Sequence, residues 1–397
     1  VGVLTADAAP AALPRLRFDR HELAGAVADL GVFIPIAVAL IVSNGLSPTA
    51  VLLPAGLLYV ASGLFYRVPI PVQPLKAFGA IAIAQGLGAD VIAAGTLIMG
   101  VLFVALGGAG VIDRVARVFP QPLVRGIQLS VGLLFLKLAW GLVTEPPKVF
   151  ADHGRPPLYL LGGAAVVVAL ALLLRKRAVT LALLAVGVVI MAVSASGVPG
   201  WGPSALHAPV LTPDAFATAA VALVLPQLPL TFANSCLATA DAARTYFGGA
   251  AARVRPGRLA VSLGLANLVA GAMCGMPVCH GAGGLTAHRS FGARTGGAPV
   301  ALGAALVAVA LTLGAGLSTL LAGFPLPIMA GLLAVAGVLH IALLRDLRRP
   351  FDWALAVAVG VAGFATNLAW ALLGGLAVWW LAQVVRRLLD ARQAKNW

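Results

Sequence analysis

Two proline-bounded stretches hold the residues best suited to chemistry. One reads Ile70-Pro71-Val72-Gln73-Pro74-Leu75-Lys76, the other Met276-Pro277-Val278-Cys279-His280-Gly281-Ala282-Gly283-Gly284. Proline fixes its own φ and pushes the preceding residue out of the helical region, so each stretch predicts an extended entry and then a helix start. Such a start exposes amide N–H groups and carries roughly half a positive charge. Two of them facing each other away from bulk water would suit a small oxyanion. Lys76 adds a full charge, and Gly281, Ala282 and Gly283 leave the backbone open to close approach. The bland readings are an ion pair between Lys76 and Asp29, and glycines that serve helix packing.

Other polar residues stand inside apolar runs. Gln227 and Thr231 are four apart and share a helix face, Asn234 follows three later, and the set brackets Pro229. That stripe either lines a cavity or bonds a neighbouring helix. Asp29 precedes Pro35 by six positions; a carboxylate at such depth reads as a proton relay or as the partner of a lysine. His280 is either a satisfied buried donor or a site residue, with Gln73-Pro74 as its mirror. Cys279-His280 and Cys274 lack a second His/Cys pair at zinc spacing, so no metal and no cofactor are expected. Walker A, nucleophile-elbow and His-Glu-x-x-His patterns are missing, so no catalytic residues are assigned and an enzyme is not expected. Arg289 and Arg294 read as residues of the cytoplasmic end of their span or as part of an exit path.

The elements that must hold these residues are membrane helices. Of 397 residues 61% are hydrophobic and 10% charged, against about 25% charged in a soluble domain. Mean hydropathy is +1.01. Apolar runs from 22–43 to 367–385 predict about fourteen transmembrane segments, including 214–236 and 299–315. The third (72–87) and tenth (279–291) are short and polar, with room for only half a helix after their proline-rich starts. A lysine at a helix centre costs about 2.5–3.5 kcal/mol on insertion scales, so Lys76 should face a cavity or a counter-ion.

Charge sets the orientation. With an even number of spans and both termini cytoplasmic, only Lys148 and Arg155 of the 27 Lys and Arg residues fall in outside loops, and Lys76 and Lys137 fall within spans. The net charge of +14 therefore reflects positive-inside loops of a multi-pass protein of the cell membrane, not a nucleic-acid surface. Three cysteines suggest no disulfide framework. Residues 1–20 lack an apolar core and read as a cytoplasmic tail.

The chain also matches itself. Phe119-Pro120-x-Pro122-x-x-x-Gly126, followed by Gly132, recurs 205 positions later as Phe324-Pro325-x-Pro327-x-x-x-Gly331, followed by Gly337. Pro71-Val72 recurs as Pro277-Val278 after 206 positions, and Pro35 has a counterpart in Pro229 after 194. Seven spans per half would invert the second copy, an architecture of secondary transporters that bind substrate where broken helices meet.

With those residues in view, the sequence resembles the molybdate transporter family of the sulfate permease superfamily. The resemblance rests on the stretch from Glu22 to Pro35, on Pro71-Val72-Gln73-Pro74-Leu75-Lys76-Ala77, on Gln227-Leu228-Pro229-Leu230-Thr231, and on Pro277 to Leu285 continuing into Phe291-Gly292-Ala293-Arg294-Thr295-Gly296-Gly297. It implies an all-α fold of two inverted seven-segment repeats, like uracil permease, with core and gate domains. On that reading residues 21–118 and 214–318 form the core, 119–200 and 319–386 the gate, and 387–397 a short cytoplasmic tail without a regulatory domain. The implied function is import of molybdate first, or sulfate second, between segments 3 and 10 by alternating access. Gln73, Pro74, Lys76, Gln227, Thr231, Asn234, Cys279, His280, Gly281, Ala282 and Gly283 would bind substrate and Asp29 would couple protons. The reading allows a homodimer. A proton-coupled nucleobase permease, which Lys76 argues against, and an anion channel are the alternatives.

Overall fold

The computed structural model describes residues 14–27, 30–116, 118–148, 150, 152–174, 177–194 and 200–395. Asp29, the expected proton relay, lies outside them. Helix α1 (Arg20–Ala26) starts at Asp19, whose carboxylate accepts the His21 and Glu22 amides. Helix α2 (Leu30–Asn44) leads to α3 (Pro48–Tyr66), which starts with a Ser47 cap and Pro48 in its first turn. A two-residue strand, β1 (Gln73–Pro74), then feeds α4 (Lys76–Ala84). Helices α5 (Ala89–Gly108), α6 (Ile112–Ala116), α7 (Gln121–Thr144), α8 (Pro157–Leu173) and α9 (Arg177–Ser194) follow.

The next helical run joins α10 (Pro213–Ala219), α11 (Leu225–Leu230) and α12 (Thr239–Phe247) through π-helical stretches at Ala220–Val224 and Thr231–Ala238. Pro226 and Pro229 offer no N–H to an ordinary helical ladder, and the wider turns lie directly beside them. Sequence periodicity placed a span at 214–236; the helix instead continues past the polar stripe. Then come α13 (Pro256–Ala272), β2 (Val278–Cys279), α14 (Ala282–Ser290), α15 (Gly297–Thr312), α16 (Gly314–Ala322), α17 (Leu326–Ala342), α18 (Pro350–Ala365) and α19 (Leu368–Lys395).

Among the described residues six helices are long and apolar enough to cross a membrane, or seven if the bent pair α15 and α16 counts as one span. That pair corrects the expected segment 299–315: it turns by 94° between Thr312 and Gly314. The loop after α9 stitches the bend, because Gly202 N–H donates to the Thr312 carbonyl (2.7 Å) and Ala315 N–H donates to the Gly202 carbonyl (2.9 Å). Residues 387–395, expected as a tail, continue helix α19.

Close glycine crossings hold the helices. Helix α3 packs along α15 and α5 along α13, whereas α7 packs on α17 and α18, and α17 on α8. A Cβ on Gly303 would stand 2.5 Å from the Gly56 carbonyl oxygen, and one on Gly56 2.8 Å from that of Gly303. Without a hydrophobic drive between helices in lipid, such backbone approach supplies the packing. The seven-residue spacing of Gly56/Gly63, Gly100/Gly107, Gly257/Gly264/Gly271 and Gly296/Gly303 is readable in the sequence and keeps these glycines on one helix face.

Candidate functional site

The two proline-rich stretches meet. Strand β1 pairs antiparallel with β2, Gln73 opposite Cys279 and Pro74 opposite Val278. Leu75 N–H extends the pairing to the Pro277 carbonyl at 3.1 Å. Each strand runs at once into a nine-residue helix, α4 or α14. At 1.5 Å per residue each helix covers about 14 Å, less than half of a hydrocarbon core. The pairing therefore brings both helix starts to one place inside the protein. Nothing local makes a two-residue strand stable; the partner strand and its supports do.

Those supports are buried amides. Asn267 of α13, fully buried, donates Nδ2 to the Val278 carbonyl and accepts the Val278 N–H on Oδ1, both at 2.8 Å. Gln227 Oε1 accepts the Phe78 N–H at 3.0 Å, which satisfies one first-turn amide of α4. Gln227 Nε2 donates to Thr231 Oγ1 at 3.0 Å, and Thr231 Oγ1 donates back to the Gln227 carbonyl at 3.1 Å. Gln227 and Thr231 thus share a face, as their spacing predicted, and fix the flank of α4.

Four of the expected residues converge at the helix starts. Lys76 is half-buried, and its Nζ donates to Gln73 Oε1 at 2.9 Å. A Cβ on Gly281 would lie 2.5 Å from the same Gln73 oxygen and 3.4 Å from Asn234 Nδ2. Gln73, Lys76, Asn234 and Gly281 therefore form one cluster at the helix starts. Gly283 is exposed, and a Cβ there would meet nothing within 4 Å. By helix geometry the first amides of α14 have no intrahelical acceptor. Pro74 and Cys279 lie in the strands, and the Cys279 thiol donates to the Pro74 carbonyl at 3.8 Å. Ala282 is the first residue of α14.

His280 turns away. Its Nδ1 donates to the Pro71 carbonyl at 2.9 Å, and its Nε2 lies 2.8 Å from Ser262 Oγ. Ser262 Oγ in turn lies 2.8 Å from the Tyr66 hydroxyl, which donates to the Arg258 carbonyl. Both ring nitrogens are committed to protein, so His280 fixes β2 against α3 and α13. Arg289 and Arg294 stand at the far end of α14: Arg289 stacks over Tyr246 at 4.3 Å, and Arg294 Nη1 donates to the Arg289 and Ala293 carbonyls. Among the described residues no group of three or more His, Cys, Asp or Glu gathers as a metal site.

Sequence reasoning missed Asn267 and Glu22. The signal for Asn267 was an amide in mid-span, costly unless bonded. Glu22 is 2% exposed, and its Oε1 accepts the Arg294 and Thr295 amides at 2.9 and 2.8 Å. It ties α1 to the segment after α14.

Comparison with known proteins decides the family. A family profile described as "Molybdate transporter of MFS superfamily" matches residues 21–135 and 219–339, which include both strand–helix units. The chain belongs to the molybdate transporter family. Family relatives include Molybdate transporter 1 of Arabidopsis thaliana, 30% identical over 83% of this chain and 81% of that protein. Molybdate transporter 1 of Chlamydomonas reinhardtii is 31% identical, covering 87% of this chain and 88% of its own. In space, this family member resembles the transmembrane domain of a cyanobacterial bicarbonate transporter, BicA, with TM-score 0.65, 18% identity and 90% and 98% of the two chains covered. Murine Slc26a9, an anion transporter in its inward-facing state, aligns with TM-score 0.68 at 15% identity over 92% of this chain and 68% of that one. The protein is a multi-pass membrane transporter whose fold is like those of the BicA transmembrane domain and Slc26a9.

Proposed function

We propose that this protein is a secondary active importer of a tetrahedral oxyanion, molybdate first, that works by alternating access. The observation that carries the reading is the β1–β2 pair, which brings the starts of two half-helices together beside Lys76. One full charge plus roughly half a charge from each helix start matches the two negative charges of a dianion. Gln73 and Asn234 supply amide groups at the same space, Gly281 and Gly283 admit the ligand to backbone N–H groups, and Asp29 is the proton carrier.

The inverted seven-plus-seven repeat is part of this proposal. Two contacts between repeat partners support it. Gln73 and Cys279, 206 positions apart, pair with each other. Gly132 and Gly337, 205 apart, touch reciprocally: a Cβ on either would lie 2.7 Å from the other's carbonyl oxygen. A position that meets its own mate is what a two-fold axis produces. The α3–α15 and α5–α13 crossings would then belong to a core carrying the site, and α7, α8, α17 and α18 to a gate against which it moves. Both termini would lie in the cytoplasm.

The test is binding to purified protein in competition. Tungstate and sulfate should displace molybdate and uracil should not; displacement by uracil alone would end the oxyanion reading.

A further inference from the structure

A groove of about 1170 Å³ opens between α3 and α13, separate from the strand pair. Its walls are apolar and open: Leu57 is 47% exposed, Phe65 45%, Leu265 52% and Val269 46%. Arg244, Arg255 and Arg258, all exposed, line one end, and no acidic residue lines the groove. Among the described residues the ion pairs are Arg17–Asp19 and Arg125–Asp346, so none of these three guanidinium groups is held by a carboxylate. Arg253 beside them donates to the Phe65 carbonyl at 2.9 Å, and both Arg253 and Arg258 lie over the Phe65 ring, at 5.4 and 6.0 Å.

Length decides what fits. Along α13 the groove runs from Arg258 to Val269, about 16 Å of helix at 1.5 Å per residue. That is the depth of one leaflet, half of a hydrocarbon core of about 30 Å. Free water could serve three arginines at a membrane surface, but not an open apolar wall of leaflet depth below them. An occupant with an anionic head and an apolar tail satisfies both. Basic pockets between transmembrane helices bind such headgroups.

We propose that this groove is a binding site for an anionic phospholipid, with the headgroup phosphate on Arg244, Arg255 and Arg258 and an acyl chain along Leu57, Leu265 and Val269. The site does not depend on which anion the protein carries. It adjoins the substrate-side strands all the same. Tyr66 and Ser262 line the groove, and Ser262 touches His280, which is anchored at the Pro71 carbonyl.

The test is native mass spectrometry of the full chain titrated with phosphatidylglycerol or phosphatidylcholine of identical acyl chains. The wild-type protein should retain phosphatidylglycerol about 30- to 150-fold more strongly, as two or three arginines near a headgroup imply. The double variant Arg255→Gln/Arg258→Gln should bring the two lipids to equal retention. The double variant Arg348→Gln/Arg349→Gln, which removes exposed charge from the loop before α18, should leave the preference intact. Equal retention by the wild-type protein, or equal loss in both double variants, would overturn the site. The wild-type comparison needs no variant to fold, and Val269→Trp gives a second reading. Its ring should fill the apolar half and weaken both lipids; unchanged retention of both would remove the acyl chain from the groove.

Discussion

The ammonium of Lys76 lies 2.9 Å from the side-chain oxygen of Gln73, three residues earlier on the strand that enters its helix. An amide oxygen orients the lysine without itself adding a negative charge. Replacing Gln73 by Glu would put a carboxylate at that distance and cancel the charge. Gln73→Glu and Lys76→Ala should each lower molybdate uptake by about tenfold or more, the scale of a lost hydrogen bond to a charged group. Gln73→Ala should cost less. Uptake normalised to folded protein in the membrane is the measurement, and losses that only follow protein amount would make Lys76 structural.

Gly281 and Gly283 separate ligand access from folding. Gly281→Ala forces its methyl to 2.5 Å from Gln73 Oε1, so Gln73 must shift and Lys76 loses its guide. Gly283→Ala meets nothing within the protein. Both variants should weaken oxyanion binding, but only Gly281→Ala should also lower thermal stability. Binding titrations and melting curves on the same preparations check this; full affinity in Gly283→Ala would move the ligand away from α14.

Asn267 carries the strand pair. Asn267→Leu removes both 2.8 Å bonds and leaves the Val278 amide and carbonyl buried without that partner. Each such group costs about 1–3 kcal/mol. The variant should therefore fold poorly, and what folds should bind oxyanion weakly. Yield after detergent extraction and the midpoint of thermal unfolding are the readouts, and wild-type values in both would mean that β2 is held by other contacts.

Glu22 should matter for assembly rather than for substrate. Its Oε1 accepts two amides next to α15. Glu22→Ala should lower stability by about 1–3 kcal/mol, the penalty for buried amides left unpaired. Substrate affinity of the folded fraction should stay at the wild-type level; a loss of affinity with unchanged stability would make Glu22 part of the transport path.

Asp29→Asn should abolish the dependence of uptake on an inward proton gradient while leaving binding at fixed pH unchanged. Uptake into vesicles with and without the gradient measures it, and an unaltered gradient response would take the proton role from Asp29.

Much of the site was legible because proline is local. Pro71, Pro74 and Pro277, closely spaced with no long helical run around them, favour extended backbone locally, and Lys76 is costly in lipid wherever it points, so both starts and their charge could be read from residue types. The fate of His280 could not. Its ring nitrogens go to Pro71 and to Ser262, and only packing of β2 between α3 and α13 brings those partners together. The bend between α15 and α16 was equally hidden, since the acceptor and donor it needs come from Gly202, on a loop about a hundred residues away.

The sequence by itself determined that the chain lives in a membrane, that two of its segments are half-length, and which family it joins. Those properties follow from composition and from backbone rules that act within a few residues. The tertiary structure decided that the two half-helices begin at one place, that Gln73 turns its side-chain oxygen to Lys76, and that Asn267 supports the strands. The strand pairing joins residues about two hundred positions apart, and even the nearer Gln73–Lys76 and Asn267–Val278 bonds depend on how strand and helix are packed, which no local pattern specifies.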